Sequence, residues 1–200
     1  GHPKLDDTAL LVTEIEHAYA QLGGFRIGVM DSLFIYLPDD AVALVEDDVI
    51  PFGPETTHQI SYTFDGGFEA ENGFMVAAAL EEGSDDEDFG EIINDYMPHV
   101  VVGAGYTNGI VTLRAVGGYD SNEEEFSAKG RLDVKPVDGI ELTVMAAWTD
   151  DDDDSGGNYY AQWGGDWGLW TGGSATLSDR AKLNAQFSMN GFDLGASAFG

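Results

Sequence analysis

The chain has 200 residues, no cysteine, and 37 Asp plus Glu against 8 Lys plus Arg, for a net charge of -29. The missing cysteines exclude disulfides, thiolate metal sites and cysteine nucleophiles, and the charge would repel a polyanionic nucleic acid. At 43% hydrophobic and 12% aromatic the chain is too apolar for disorder, yet no run approaches the roughly 20 apolar residues of a spanning helix.

Gly1 to Leu10 lacks the charged-then-apolar pattern of a signal peptide, and the chain does not start with Met, which points to a mature or internal piece. Its 27 glycines lie scattered through apolar stretches, where each would cost a helix about 1 kcal/mol. A period of two dominates instead. From Thr13, Ile15 and Tyr19 are read on one face against Glu14, Glu16, Ala18 and Ala20. Gly23-Gly24 then turns the chain into Phe25, Ile27 and Val29, which oppose Arg26 and Met30. A long segment, Leu33 to His58, follows with Pro38, Pro51 and Pro54, before Ile60, Tyr62 and Phe64 alternate with Gln59, Ser61 and Thr63.

Asp65 to Gly73 reads as a turn into the row Phe74, Val76, Ala78 and Leu80, and an acidic loop is read from Glu81 to Asp95. Val100, Val102, Ala104 and Tyr106 precede Asn108-Gly109, a hairpin signal because both residues tolerate positive φ. Val111, Leu113 and Ala115 come next, with Thr112 and Arg114 on the other face. A second acidic loop, Asp120 to Glu125, leads into Phe126, Ala128, Leu132 and Val134, and Pro136 to Gly139 turns into Ile140, Leu142, Val144, Ala146 and Trp148. Asp150 to Asp154 open a third acidic loop, followed by strands at about Tyr159 to Leu177, Ala181 to Ser188 and Phe192 to Phe199.

Tight turns alternating with long loops suit a transmembrane barrel. The reading gives roughly eleven strands, an odd count that implies more strands beyond this piece, since bacterial barrels have even numbers. The polar rows argue against a soluble sandwich, which would also alternate. Arg26, Arg114, Lys129, Arg131, Lys135 and Lys182, six of the eight basic residues, all oppose the apolar rows and sit with Gln59, Thr63, Asn184 and Gln186, a mixture suited to a wet lumen. Tyr19, Phe25, Phe64, Phe74, Tyr106 and Trp148 are girdle candidates near row ends. The fold class is therefore an all-β, antiparallel transmembrane barrel, present as one partial domain over residues 1–200.

The stretch from Ala18 through Gly23-Gly24-Phe25-Arg26 to Ser32 resembles the hairpin before the constriction loop of general bacterial porins. Ile60-Ser-Tyr-Thr-Phe64, Asp95-Tyr-Met-Pro-His-Val-Val-Val-Gly103, Ala128-Lys-Gly-Arg-Leu-Asp-Val134 and Tyr160-Ala-Gln-Trp-Gly-Gly-Asp-Trp167 resemble alphaproteobacterial porins of the rhizobial and Brucella type. The resemblance implies a sixteen-stranded barrel, a homotrimer in outer-membrane lipid, passage of ions and small hydrophilic solutes, and a third loop folded inward, here Leu33 to His58. The present chain is too short for sixteen strands.

That loop carries Asp39, Asp40, Glu46, Asp47, Asp48 and Glu55 without Lys or Arg. Facing a wall of Arg26, Arg114, Lys129 and Arg131, it would set a transverse field that orients dipoles and filters ions. Asp150, Asp151, Asp152, Asp153 and Asp154 offer a cluster for Ca²⁺, but their spacing lacks the alternation of a dedicated site and suits a solvated loop. The histidines His2, His17, His58 and His99 stand in no hydrolase motif. The expected function is thus a cation-preferring outer-membrane pore in a Gram-negative bacterium, without catalysis or cofactor. The alternatives are a soluble or surface β-rich ligand-binding protein and a non-conducting barrel anchor.

Overall fold

The computed structural model describes residues 17–38, 50–83, 92–93, 96–150 and 157–191. They form one antiparallel sheet of ten strands in chain order, each paired with its sequence neighbours, and one short helix. The strands are β1 (Ala18–Leu22), β2 (Phe25–Asp31), β3 (Thr56–Gly66), β4 (Gly73–Glu81), β5 (His99–Thr107), β6 (Val111–Asp120), β7 (Glu125–Val137), β8 (Ile140–Thr149), β9 (Trp167–Ser178) and β10 (Ala181–Gly191). Helix α1 (Leu33–Tyr36) follows β2. Among the described residues β1 and β10 are each paired on one side only, so the sheet is an unclosed part of a barrel. The segment read as a strand at Phe192 to Phe199 lies outside the described residues.

Five hairpin turns, after β1, β3, β5, β7 and β9, gather at one end of the sheet, and the other connections gather at the opposite end. Two turns show how the sequence makes them. Gly139 takes φ +79° in the two-residue link between Val137 and Ile140, a conformation that only Gly adopts without strain. At Asn108-Gly109 only Gly109 has positive φ (+83°); Asn108 works through its side chain, whose Oδ1 accepts from Ile110 N and Val111 N.

The period-two rows separate cleanly. Ile60, Tyr62, Phe64, Leu142, Val144 and Ala146 are exposed on one face, while Ser61, Arg131 and Thr143 are buried on the other, which also carries α1. So large an exposed apolar face is foreign to soluble monomers and natural against lipid. Cross-strand pairing lines up Phe64, Phe74 and Tyr106 toward the turn end and Tyr119, Phe126, Trp148 and Trp167 toward the loop end. Two aromatic bands at the two rims of the outer face match interfacial girdles.

Three readings need correction. Tyr19 pairs with Gly28 and shares its face with Gln21 and Arg26, so it points inward while Ala20 and Leu22 face out. The Ala-Tyr-Ala spacing carried no strong apolar row, and the phase came from Leu22 and Phe25 across the turn. Second, the connection from Asp120 to Glu125 is a tight turn, because those two residues pair directly. Third, only Trp167–Ser178 of the segment from Tyr159 is strand. Tyr159 to Trp163 instead fold onto the inner face as buried turns.

Candidate functional site on the inner face

The connection from β2 to β3 is fixed at both of its described flanks. Ser32 caps α1 by accepting from Phe34 N at 3.2 Å, and its hydroxyl donates to Glu81 Oε2 at 2.8 Å. Glu81 Oε1 accepts from Leu33 N at 2.8 Å. One buried carboxylate thus satisfies a helix N-terminal amide and orients the capping side chain. At the returning flank, Lys129 Nζ donates to Phe52 O at 2.7 Å and Trp170 Nε1 to Ile50 O at 3.2 Å. Lys129 also lies 4.7 Å from the centre of the Phe34 ring.

The wall beneath α1 is apolar and built of small residues. Leu33, Phe34 and Leu37 bury against Ala77, Ala79, Val101 and Val116, so the inner face is not polar throughout, as its basic rows suggested. At Gly103 a Cβ would lie 2.7 Å from Leu37 Cδ1, so glycine lets the helix end seat closely.

A second element folds inward over the first. Tyr160 lies flat on Gly118, where a Cβ would come 2.7 Å from its ring, and packs 4.9 Å from Phe34. Its hydroxyl donates to Glu81 Oε2 at 3.1 Å. Burial, and then the nearby Glu81 charge, push this hydroxyl well above its ordinary 10.0, so it stays a protonated donor. Tyr159 N donates to Asp120 Oδ2 at 2.8 Å, and its ring stacks on buried His99 at 5.2 Å. Trp163 packs between Phe34 and Trp170, and Asn190 Nδ2 donates to Trp163 O.

The four basic residues read as a wall, Arg26, Arg114, Lys129 and Arg131, all stand in inward rows, but in different states. Arg114 and Arg131 face each other across β6 and β7, a like-charge pair that would repel alone. Asp133 sits between them, accepting from Arg114 Nη1 at 2.7 Å and from Arg131 Nε at 2.9 Å, with Thr143 Oγ1 donating at 2.7 Å. Lys129 is buried under the loop. Arg26 lies over the Tyr36 ring at 4.6 Å and donates from Nη2 to its hydroxyl at 2.9 Å.

Of the acidic set, Glu55 is exposed where the connection enters β3, and its carbonyl accepts from Ser32 N at 2.8 Å. Asp39, Asp40, Glu46, Asp47 and Asp48 lie outside the described residues. Thr56, Thr57 and His58, read as the end of that loop, already belong to β3. Asp150 accepts from Phe126 N at 2.5 Å at the strand rim, whereas Asp151 to Asp154 lie outside the described residues. No group of metal-binding side chains occurs among the described residues.

Sequence reasoning put Glu81 and Asp120 in solvated loops, yet both are buried strand ends. A signal was present. Glu81 is in phase with inward Ala77 and Ala79, and Asp120 with inward Arg114 and Gly118.

Residues 6–196 match the family described as Porin subfamily. The chain belongs to this porin family. It is 37% identical to Porin Omp2a of Brucella ovis over 174 residues, covering 87% of this chain and 49% of that protein. Porin Omp2a of Brucella melitensis is 37% identical over 174 residues, with 87% and 46% covered. Porin Omp2b of Brucella neotomae is 37% identical over 179 residues, with 87% and 48% covered. The chain therefore spans about half the length of these relatives. No solved structure matches it. Family membership places this porin in the outer membrane of a Gram-negative bacterium.

Proposed function

We propose that the complete porin conducts ions and small hydrophilic solutes by passive diffusion, with the connection between β2 and β3 narrowing its lumen and with cations preferred. The observation that carries this reading is the seating of residues 32–37 and 50–54 on the inner wall through bonds to the buried side chains of Glu81, Lys129 and Trp170. A loop held there narrows any lumen that the sheet closes around.

The preference for cations rests on charge. The chain totals -29, while Asp133 offsets one of the two charges of Arg114 and Arg131, and Lys129 lies beneath the loop. The remaining field is negative, so cations concentrate at the mouth, more so at low salt, where the screening length is about 30 Å at 0.01 M against about 8 Å at 0.15 M. As in the porin reading generally, assembly as a homotrimer accompanies this proposal.

The test is reversal potential across a salt gradient in planar bilayers holding the complete protein. Replacing Asp39, Asp40, Asp47 and Asp48 by Asn should weaken the cation preference and change single-channel conductance. An intact pore that prefers anions would overturn the assigned field, and unchanged values in the variant would remove this loop from the constriction.

A further inference from the structure

On the turn side of α1 the inner face holds a cavity of about 650 Å³, a size typical of small-ligand sites. Leu33, Ile35, Tyr36 and Leu37 border it on one side, and Arg26, Met75, Phe68 and Arg114 line it on others. Its two guanidinium groups are differently engaged. Arg114 is paired with Asp133 at 2.7 Å. Among the described residues no carboxylate pairs with Arg26, whose contacts are with Tyr36 and, at 6.0 Å, the Tyr19 ring.

Stacking on Tyr36 and donation to its hydroxyl hold the Arg26 fork in a defined orientation, with N–H groups left over. The Tyr36 oxygen accepts that bond, so its own O–H is available to a third group. A fixed guanidinium edge beside a free hydroxyl proton suits one carboxylate. Beside this polar pair lie the apolar side chains of Ile35, Leu37, Met75 and Phe68. Asp31, Asp65 and Glu69 also border the cavity. Asp65 already caps the β3–β4 turn through Gly67 N and Phe68 N at 3.0 and 2.6 Å. These carboxylates repel any anion, so a single negative charge is held only where it meets the Arg26 fork directly, and a second one finds no partner among the described residues.

We propose that this cavity is a binding station for monocarboxylates that carry a compact apolar body. Arg26 and Tyr36 take the carboxylate, and Ile35, Leu37 and Met75 receive the apolar part. The station deepens the pore reading and rests on it, because a solute reaches the inner face only through the lumen. It makes a pore of negative overall field selectively retentive for one class of anion.

The probe is phenylacetate, added to single channels of the complete porin in planar bilayers, with acetate, phenylethylamine and phenylmalonate as comparison solutes. Phenylacetate should produce transient current blocks, and the other three far fewer at equal concentration. Arg26→Gln should weaken block by about tenfold or more, the loss of a hydrogen bond to a charged group, and Tyr36→Phe by less. Arg26→Lys retains the charge without the planar fork and should also lose most of the block. Channel insertion at the normal frequency shows that each variant folds. Equal block in Arg26→Lys, or block by acetate matching that by phenylacetate, would overturn the station. Normal conductance and ion preference without any phenylacetate block would overturn it alone, whereas absent conductance would remove the pore reading as well.

Discussion

The Tyr160 hydroxyl donates to the Glu81 carboxylate at 3.1 Å, tying the connection between β8 and β9 to the same wall group that caps α1. Two loops distant in sequence therefore share one anchor. Tyr160→Phe keeps the ring against Phe34 and Gly118 and removes only the bond, at about 0.5–1.5 kcal/mol. The barrel should still assemble, with more open-channel current noise as the connection between β2 and β3 loosens from the wall. Glu81→Ala should do more, since it strands Ser32, Leu33 N and Tyr160, each buried donor costing about 1–3 kcal/mol. Equal noise in wild type and both variants would deny the anchor any role in holding the loop.

Alkaline conditions probe the same region. Burial raises the hydroxyls of Tyr159 and Tyr160 above their ordinary 10.0. The folded state then keeps protons that the unfolded chain releases, so the stability is fully present below pH 10 and declines as pH rises above it. Ultraviolet titration of the eight tyrosines should show a late fraction that ionises together with loss of tertiary structure. Removing both hydroxyls by Tyr159→Phe and Tyr160→Phe should abolish that fraction; a late fraction of the original size would assign it elsewhere.

Asp133 holds Arg114 and Arg131 side by side, and Asp133→Asn tests the charge as well as the structure. The variant leaves two facing guanidinium groups without their shared anion. Stability in denaturant should fall by about 1–3 kcal/mol. The cation-to-anion permeability ratio should fall with it, because the wall gains net positive charge. An unchanged ratio would mean these arginines do not face the permeating ions.

The outer rows make a prediction about depth. Val144 faces outward near the middle of β8, next to inward Thr143 and Met145. Val144→Arg should destabilise the folded barrel in bilayers by about 2–4 kcal/mol, as for an arginine at the bilayer midplane. Because the chain has no cysteine, Tyr62→Cys and Ser61→Cys report the two faces directly. A lipid-phase reagent should label the first and a small water-soluble one the second. The reverse pattern would invert the sheet.

Sheet, turns and facing were legible in the residues. Ile60, Tyr62 and Phe64 against Gln59, Ser61 and Thr63 assign two faces because a pleated strand sends successive side chains to opposite sides. Paired glycines and Asn108-Gly109 mark where the chain reverses. Where apolar contrast was weak, as around Tyr19, the phase was misread, since parity has to be carried across Gly23-Gly24 from Phe25.

What tertiary structure alone decided was the fate of individual charges and loops. Row phase put Glu81, Asp120 and Asp133 on the inner side, yet nothing local marked them as buried among the 37 acidic residues. Their burial depends on Ser32, Tyr159 and Arg114 arriving from other parts of the chain. Likewise, Tyr159 to Trp163 carry enough aromatic surface to pass for strand, but the inner wall offers Gly118, Phe34 and Trp170 as a bed, and the segment folds onto it. Alternation is a local property of the backbone and survives in one dimension. A buried ion's partner is not local: removing a carboxylate from water is tolerable only where donors converge, and in this chain they converge from segments as far apart as Ser32 and Tyr160.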